Sequence, residues 1–133
     1  SPDFFLPAVY AELAKAPPGG PAEVRVGNLD VRRDIGAIGD LVEAFAAILD
    51  RPPAPGEART FNVCSGRTKL LRSLAESLAA RLGVRATFVV DPARVRSGEA
   101  VSIRGSHARL TAATGWEPKR AGEAELVESF MAE

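Results

Sequence analysis

The stretch Thr68-Lys69-Leu70-Leu71-Arg72-Ser73-Leu74-Ala75-Glu76-Ser77-Leu78-Ala79-Ala80-Arg81-Leu82-Gly83-Val84-Arg85-Ala86-Thr87-Phe88-Val89-Val90 decides the fold class. In its first part Leu70, Leu71, Leu74, Ala75, Leu78 and Leu82 recur three and four apart and fall on one side of a helix. Thr68 is a suitable N-cap. Arg81 puts a cation in the last turn, where the helix dipole favours one, and Gly83 suits the left-handed residue just past the end. The period then changes. Ala86 to Val90 is short, apolar and rich in β-formers, and predicts a strand. A helix followed at once by a strand is the unit from which α/β domains are built.

The same alternation runs outward in both directions. Upstream, Phe5, Leu6, Val9, Tyr10 and Leu13 predict a helix with Pro7 tolerated in its first turn. Pro17-Pro18-Gly19-Gly20-Pro21 stops it. Short strands are expected over Glu23 to Val26 and Val31 to Ile35, separated by a Gly27-Asn28 turn. Asp40, with Glu43 three residues on, has the spacing of a capping box for a helix whose apolar stripe is Leu41, Val42, Phe45, Ile48 and Leu49. A proline-rich loop, Arg51 to Gly56, leads to an expected strand from Thr60 to Cys64 and a Ser65-Gly66 turn. Downstream, Arg94 to Glu99 is a loop, Val101 to Ile103 a short extended piece, and Ser106 caps a helix ending at Gly115. Glu123, Glu125 and Glu128 accompany a final helix with Leu126, Val127, Phe130 and Met131 on its core side. The fold class is α/β. The few short strands need neighbours to satisfy their backbone groups, which is the pattern of an incomplete domain.

Composition narrows the function. The chain has 133 residues, 46% apolar and 26% charged, the values of an ordinary globular domain. Seventeen basic residues balance seventeen acidic ones, which argues against a nucleic-acid binder. No apolar run reaches the ~18 residues of a membrane span, and Ser1-Pro2-Asp3 opens no signal peptide. One cysteine, Cys64, makes no internal disulfide and points to a reducing, cytoplasmic compartment. With one His and one Cys no metal-ligand spacing exists, and no nucleophile motif accompanies His107. Fourteen of the seventeen basic residues are Arg, and six lie between Arg81 and Arg109 against only Asp91 and Glu99. Codon bias accounts for such a preference; so does a small anionic ligand, which guanidinium grips with paired hydrogen bonds.

Four stretches in order resemble the C-terminal half of extended short-chain dehydrogenase/reductase enzymes, the NAD-dependent epimerase/dehydratase family. They are Ser1-Pro2-Asp3-Phe4-Phe5-Leu6-Pro7; Val26-Gly27-Asn28-Leu29-Asp30-Val31-Arg32-Arg33-Asp34 with Gly39-Asp40-Leu41-Val42-Glu43-Ala44; Phe61-Asn62-Val63-Cys64-Ser65-Gly66-Arg67; and Asp91 to Glu99 with Arg109-Leu110 and Thr114-Gly115-Trp116-Glu117-Pro118. The closest resemblance is to the branch of GDP-6-deoxy-D-mannose reductases and GDP-mannose 4,6-dehydratases. It implies that residues 1–133 are a nucleotide-sugar-binding C-terminal region whose N-terminal Rossmann domain is absent from the chain. The family's Gly-rich dinucleotide turn does not occur, since Gly19-Gly20, Gly36 and Gly39 do not form a G-x-x-G-x-x-G loop between strand and helix. Its Tyr-x-x-x-Lys pair is missing too: Tyr10 is the only tyrosine and position 14 is Ala. No catalytic or cofactor-binding residue is therefore assigned, and the chain alone is expected to be inactive. NAD(P)(H) belongs to the parent enzyme.

The resemblance also implies site roles. Arg33 would contact the diphosphate; the alternative is an Arg33–Asp34 ion pair. Arg96 and Glu99 match an Arg-x-x-Glu loop in which Arg binds phosphate and Glu accepts from ribose hydroxyls; the alternative is a solvated loop pair. Ser97 stands where the family usually has Pro, and Ser106 where it has Asp. Asn28 lies near the base or, the stronger alternative, accepts a left-handed turn. Cys64, His107 and Trp116 read as structural. The expected function is the substrate-binding portion of an NAD(P)-dependent nucleotide-sugar oxidoreductase that reduces GDP-4-keto-6-deoxymannose. A GDP-mannose 4,6-dehydratase or epimerase piece, and a non-catalytic nucleotide-sugar module, are the alternatives. The expected partners are the nucleotide-diphosphate sugar, the missing Rossmann half and, as an open possibility, further copies of the chain.

Overall fold

The computed structural model describes residues 4–17 and 19–132. The elements run α1 (Phe5–Leu13), β1 (Pro21–Val26), β2 (Arg32–Asp34), α2 (Ile38–Leu49), β3 (Thr68–Leu70), α3 (Leu71–Arg81), β4 (Arg85–Val90), a 3-10 turn (Pro92–Arg94), β5 (Ser102–Ile103), α4 (Ala108–Thr114) and α5 (Glu123–Met131). The expected α/β class is the observed one. Ser1-Pro2-Asp3 of the first matched stretch, and Pro18 of the proline-glycine stop, lie outside the described residues.

The chain divides into two compact units, Ser1–Arg32 with Leu70–Ser102 and Arg33–Lys69 with Ile103–Glu133. In the first, β1 and β4 pair in parallel, from Pro21 opposite Arg85 to Val26 opposite Val90. Leu6, Val9 and Leu13 of α1 and Leu71, Leu74, Ala75 and Leu78 of α3 are buried, as are Val24 and Val26 of β1. The α3 pattern thus buries the side its periodicity predicts. Gly83 ends it at φ +67. Its N–H donates to the Ala80 carbonyl at 3.1 Å and that of Val84 to the Ala79 carbonyl at 3.0 Å, the paired bonds of a Schellman cap.

Thr68 is not the N-cap of α3; it lies in β3. The helix starts at Leu71 with no side-chain cap. Its first donors are met by main chain instead, Leu71 N–H to the Val31 carbonyl and Arg72 N–H to that of Leu29, both at 3.1 Å. The strands β2, β3 and β5 form a second sheet in the order β3-β2-β5.

The second unit centres on Ala44 of α2, Leu110 of α4 and Trp116, with Ala47, Ile48, Phe61 and Val63 packed against them. Leu126 and Val127 of α5 are buried, and Phe130 and Met131 half-buried. Gly115 ends α4 at φ +78, as expected. Ser106 stands one place before the N-cap residue His107 and accepts from the Ala108 N–H at 3.4 Å.

Three further expectations are corrected. Asp40 does not cap α2. The helix begins two residues earlier, and the Asp40 carboxylate, buried, accepts from the Arg120 backbone N–H at 2.9 Å and its guanidinium at 2.8 Å. The apolar stripe of α2 is only in part its packed side: Ala44 is fully buried with Ile48 packed beside it and Leu41 half-buried, while Val42, Phe45 and Leu49 are exposed. Thr60 to Cys64 forms no strand among the described residues, because nothing there pairs with it in a ladder.

Candidate functional site

Parallel strands leave their C-terminal ends open to ligands, because the loops that follow them gather there. In the first unit β1 runs into Gly27-Asn28 and β4 into Asp91. Asp91 donates its N–H to the Val26 carbonyl at 2.8 Å, which joins the two exits. The Asp91 carboxylate accepts from the Ala93 N–H at 3.0 Å and starts the 3-10 turn. Arg94 then donates to the Arg25 carbonyl at 2.9 Å. This crossing is tight: a Cβ on Gly27 would stand 2.7 Å from the Arg94 carbonyl oxygen. A recess of about 80 Å³, lined by Phe5, Val9, Val24, Gly27 and Arg94 among others, opens at the same end.

Arg96 and Glu99 follow this turn, Arg96 exposed and Glu99 half-buried. Asn28, Arg96 and Glu99 therefore all leave from the strand ends of one unit. Asn28 is half-buried, and its side-chain oxygen accepts from the Asp30 N–H at 2.9 Å. No non-glycine residue among those described has positive φ, so the turn is made by the side chain and not by left-handed backbone. Asp30 in turn holds Arg72 of α3 by two hydrogen bonds, Nε at 3.0 Å and Nη2 at 3.2 Å. These bonds keep the Asp30 carboxyl below its usual range and raise the guanidinium above its own.

Arg33 lies in the second unit, on β2 and half-buried, one residue before Asp34. The Asp34 carboxylate is the hub of that unit. It accepts from the backbone N–H of Ser65 at 2.9 Å, Gly66 at 2.9 Å and Gly105 at 3.1 Å, and from the Ser65 hydroxyl. Lys69 is buried beside it and donates to the Ile35 carbonyl at 3.0 Å and the Ser65 hydroxyl oxygen at 3.2 Å. Burial pushes the Lys69 ammonium down, against the opposing pull of Asp34. Burial, and then the Asp34 charge, push the Cys64 thiol up, so it is a poor nucleophile.

His107 is half-buried and sits edge-to-face with Trp116, their centroids 5.7 Å apart. Its Nδ1 lies 2.9 Å from the Thr111 hydroxyl, whose one proton goes to the Trp116 carbonyl at 2.9 Å. The hydroxyl oxygen must then accept, which places the imidazole proton on Nδ1. Sequence reasoning missed the Asp34–Ser65–Lys69 cluster and the Asp40–Arg120 link. Neither has a local signal, since the partners lie far apart along the chain. Among the described residues no group of three or more His, Cys, Asp or Glu is placed to hold a metal ion, and no helix is long and apolar enough to cross a membrane.

Comparison with known proteins agrees with this architecture. The family described as GDP-mannose 4,6 dehydratase matches residues 1–129, and the chain belongs to it. GDP-6-deoxy-D-mannose reductase of Pseudomonas aeruginosa is 38% identical over 118 residues, 87% of this chain and 38% of that protein. The structure of RMD from Pseudomonas aeruginosa complexed with NADPH superposes with a TM-score of 0.80 at 30% identity, over 99% of this chain and 42% of that one. UDP-glucose 4-epimerase from Bifidobacterium longum, in complex with NAD+ and UDP, shares the fold at a TM-score of 0.77 and 17% identity, over 96% of this chain and 38% of that one. The chain thus spans about two fifths of the proteins it resembles.

Proposed function

We propose that this chain is the substrate-binding portion of an NAD(P)-dependent nucleotide-sugar oxidoreductase of the cytoplasm, and that its substrate is GDP-4-keto-6-deoxymannose. The observation that carries the reading is the departure of Asn28, Arg96 and Glu99 from the C-terminal ends of β1 and β4 in a chain 38% identical to a GDP-6-deoxy-D-mannose reductase. In this reading Arg96 and Arg33 hold the diphosphate. Guanidinium suits it because two parallel N–H groups meet two phosphate oxygens. Glu99 accepts from the ribose hydroxyls, since one carboxylate receives two O–H donors from a vicinal diol. Asn28 borders the base. These remote contacts fix the sugar relative to the reacting centre.

The residues present do not fit a dinucleotide. None of the family's Gly-rich turn or Tyr-x-x-x-Lys pair is in the sequence. Nicotinamide binding and proton transfer are therefore assigned to polypeptide outside residues 1–133. A dehydratase acting on GDP-mannose is the second reading, favoured by the description of the matching family itself.

The test is calorimetric titration of the chain with GDP, with UDP in parallel. Each charge-assisted contact contributes about 1.5–3 kcal/mol, or about 10- to 150-fold in affinity. Arg33→Ala and Arg96→Ala should each lose binding by that factor, and GDP should bind more tightly than UDP. No heat with GDP, or full heat in both variants, overturns the reading.

A further inference from the structure

The segment that carries Asn28 is held more firmly than a surface turn needs. Leu29 and Val31 are each 1% exposed, while Asp30 between them faces solvent. The carbonyls of Leu29 and Val31 accept from the N–H groups of Arg72 and Leu71, both at 3.1 Å, so the segment stands in for a side-chain cap on α3. Arg72 then reaches back. Its Nε and Nη2 meet the two oxygens of Asp30 at 3.0 and 3.2 Å, a bidentate pair. The Asp30 N–H closes the set by donating to Asn28 Oδ1 at 2.9 Å.

The consequence falls on the chemistry that Asn28 offers. A side-chain amide has an oxygen that accepts and an NH2 group that donates. Here the oxygen is engaged by the Asp30 N–H, and Nδ2 has no partner among the described residues. Asn28 is half-buried just past the exit of β1, beside the Gly27 position that Arg94 crosses. What it has left for a ligand is chiefly its donors. Guanine accepts such a bond at O6, where adenine carries an amino group, itself a donor.

We infer that Arg72 is a positioning residue for ligand recognition: through Asp30 it holds Asn28 with the side-chain oxygen occupied and the amide donors free, so that the base selected there presents a carbonyl. The inference rests on the function proposed above and deepens it, by naming the residues behind its base preference. The Asp30–Arg72 pair is open to water, with side chains 70% and 37% exposed. Such a pair contributes little to stability, so it can be removed without unfolding the chain. Its removal releases Asn28, and the base loses the worth of about one hydrogen bond.

The experiment titrates the chain of 133 residues calorimetrically with GDP, ADP and inorganic pyrophosphate. Wild type should bind GDP more tightly than ADP. Arg72→Met keeps the stem and removes the fork; it should weaken GDP by about threefold to tenfold, leave pyrophosphate within about twofold, and bring GDP and ADP closer together. Arg72→Lys should recover part of the loss. Asn28→Ala should lose about the same factor, and adding Arg72→Met to it should lose nothing more, the non-additivity of two residues that act as one. Unchanged GDP affinity in Arg72→Met overturns the inference. So does a loss that pyrophosphate shares in full, which is a general structural effect, and so does a loss that persists in the Asn28→Ala background. Pyrophosphate bound by wild type, with GDP no tighter than ADP, overturns it and leaves the diphosphate contacts of the proposed function standing. Binding of neither GDP nor pyrophosphate overturns the function and the inference together.

Discussion

Replacing Asp34 by Ala removes an acceptor shared by four donors and strands three of them, since only the Ser65 hydroxyl has another acceptor, the Arg67 carbonyl at 3.0 Å. The backbone N–H groups of Ser65, Gly66 and Gly105 and the Ser65 hydroxyl all converge on this carboxylate. A hydrogen bond to a charged group contributes about 1.5–3 kcal/mol, and a buried donor left without a partner costs about 1–3 kcal/mol. Bonds that share an acceptor are not additive, and water reaches part of a half-buried site. Counting two full bonds gives a loss of about 3–6 kcal/mol, a large fraction of the ~5–15 kcal/mol that holds a domain together. Lys69 loses the carboxylate that most favours its charge in the same step. Urea unfolding followed by circular dichroism gives the total. Amide hydrogen exchange gives the local part: Ser65, Gly66 and Gly105 should exchange on the order of a hundredfold faster or more, from ~1.4 kcal/mol per tenfold. Asp34→Asn keeps one acceptor and should fall between the two. If Asp34→Ala stays within about 1 kcal/mol of wild type and the three amides keep their protection, the carboxylate is not the hub described here.

Gly27→Ala drives a methyl group into the Arg94 carbonyl, 2.7 Å away. It should cost about 1–3 kcal/mol and weaken GDP binding by displacing the turn before Arg96, so an unchanged melting temperature with unchanged affinity refutes the tight crossing. Cys64 is held above its ordinary value by burial and the Asp34 charge. Alkylation near pH 8 should run at least tenfold slower than for a model thiol, rates near the model value counting against it. The unfolded chain loses this proton first, so stability should fall as pH rises past about 8.5, and Cys64→Ala should flatten that slope. Nitrogen NMR of His107 should show the proton on Nδ1, and Thr111→Val should release that preference; a majority of the other tautomer in wild type excludes the bond order assigned to Thr111.

Local chemistry made part of the fold readable. The run from Leu71 to Arg81 buries leucines at helical spacing, and the Gly83 stop needs only its own backbone to work. The strands β1 and β4 carry enough apolar alternation to be found without knowing that they pair. Capping was misread for the opposite reason. Asp40 and Thr68 are cap residues by type, but Asp40 is taken by Arg120, eighty positions away, and the start of α3 is satisfied by the carbonyls of Leu29 and Val31. No window of neighbouring residues contains those partners. The strand expected at 60–64 has the side-chain pattern and lacks the ladder, which is a property of two segments and not of one. In the candidate site, Arg96 and Glu99 stood out as a spaced pair in a basic lobe, and Asn28 as a turn former. Only the structure showed that all three follow the ends of the same two strands, and that Asn28 turns the chain by its side chain.

The chain has a single tyrosine and a single tryptophan, and they fall in different units, Tyr10 in the first and Trp116 in the second. Each half of the molecule thus carries its own natural chromophore. One unlabelled sample, excited at two wavelengths, can report whether the halves melt together or in sequence.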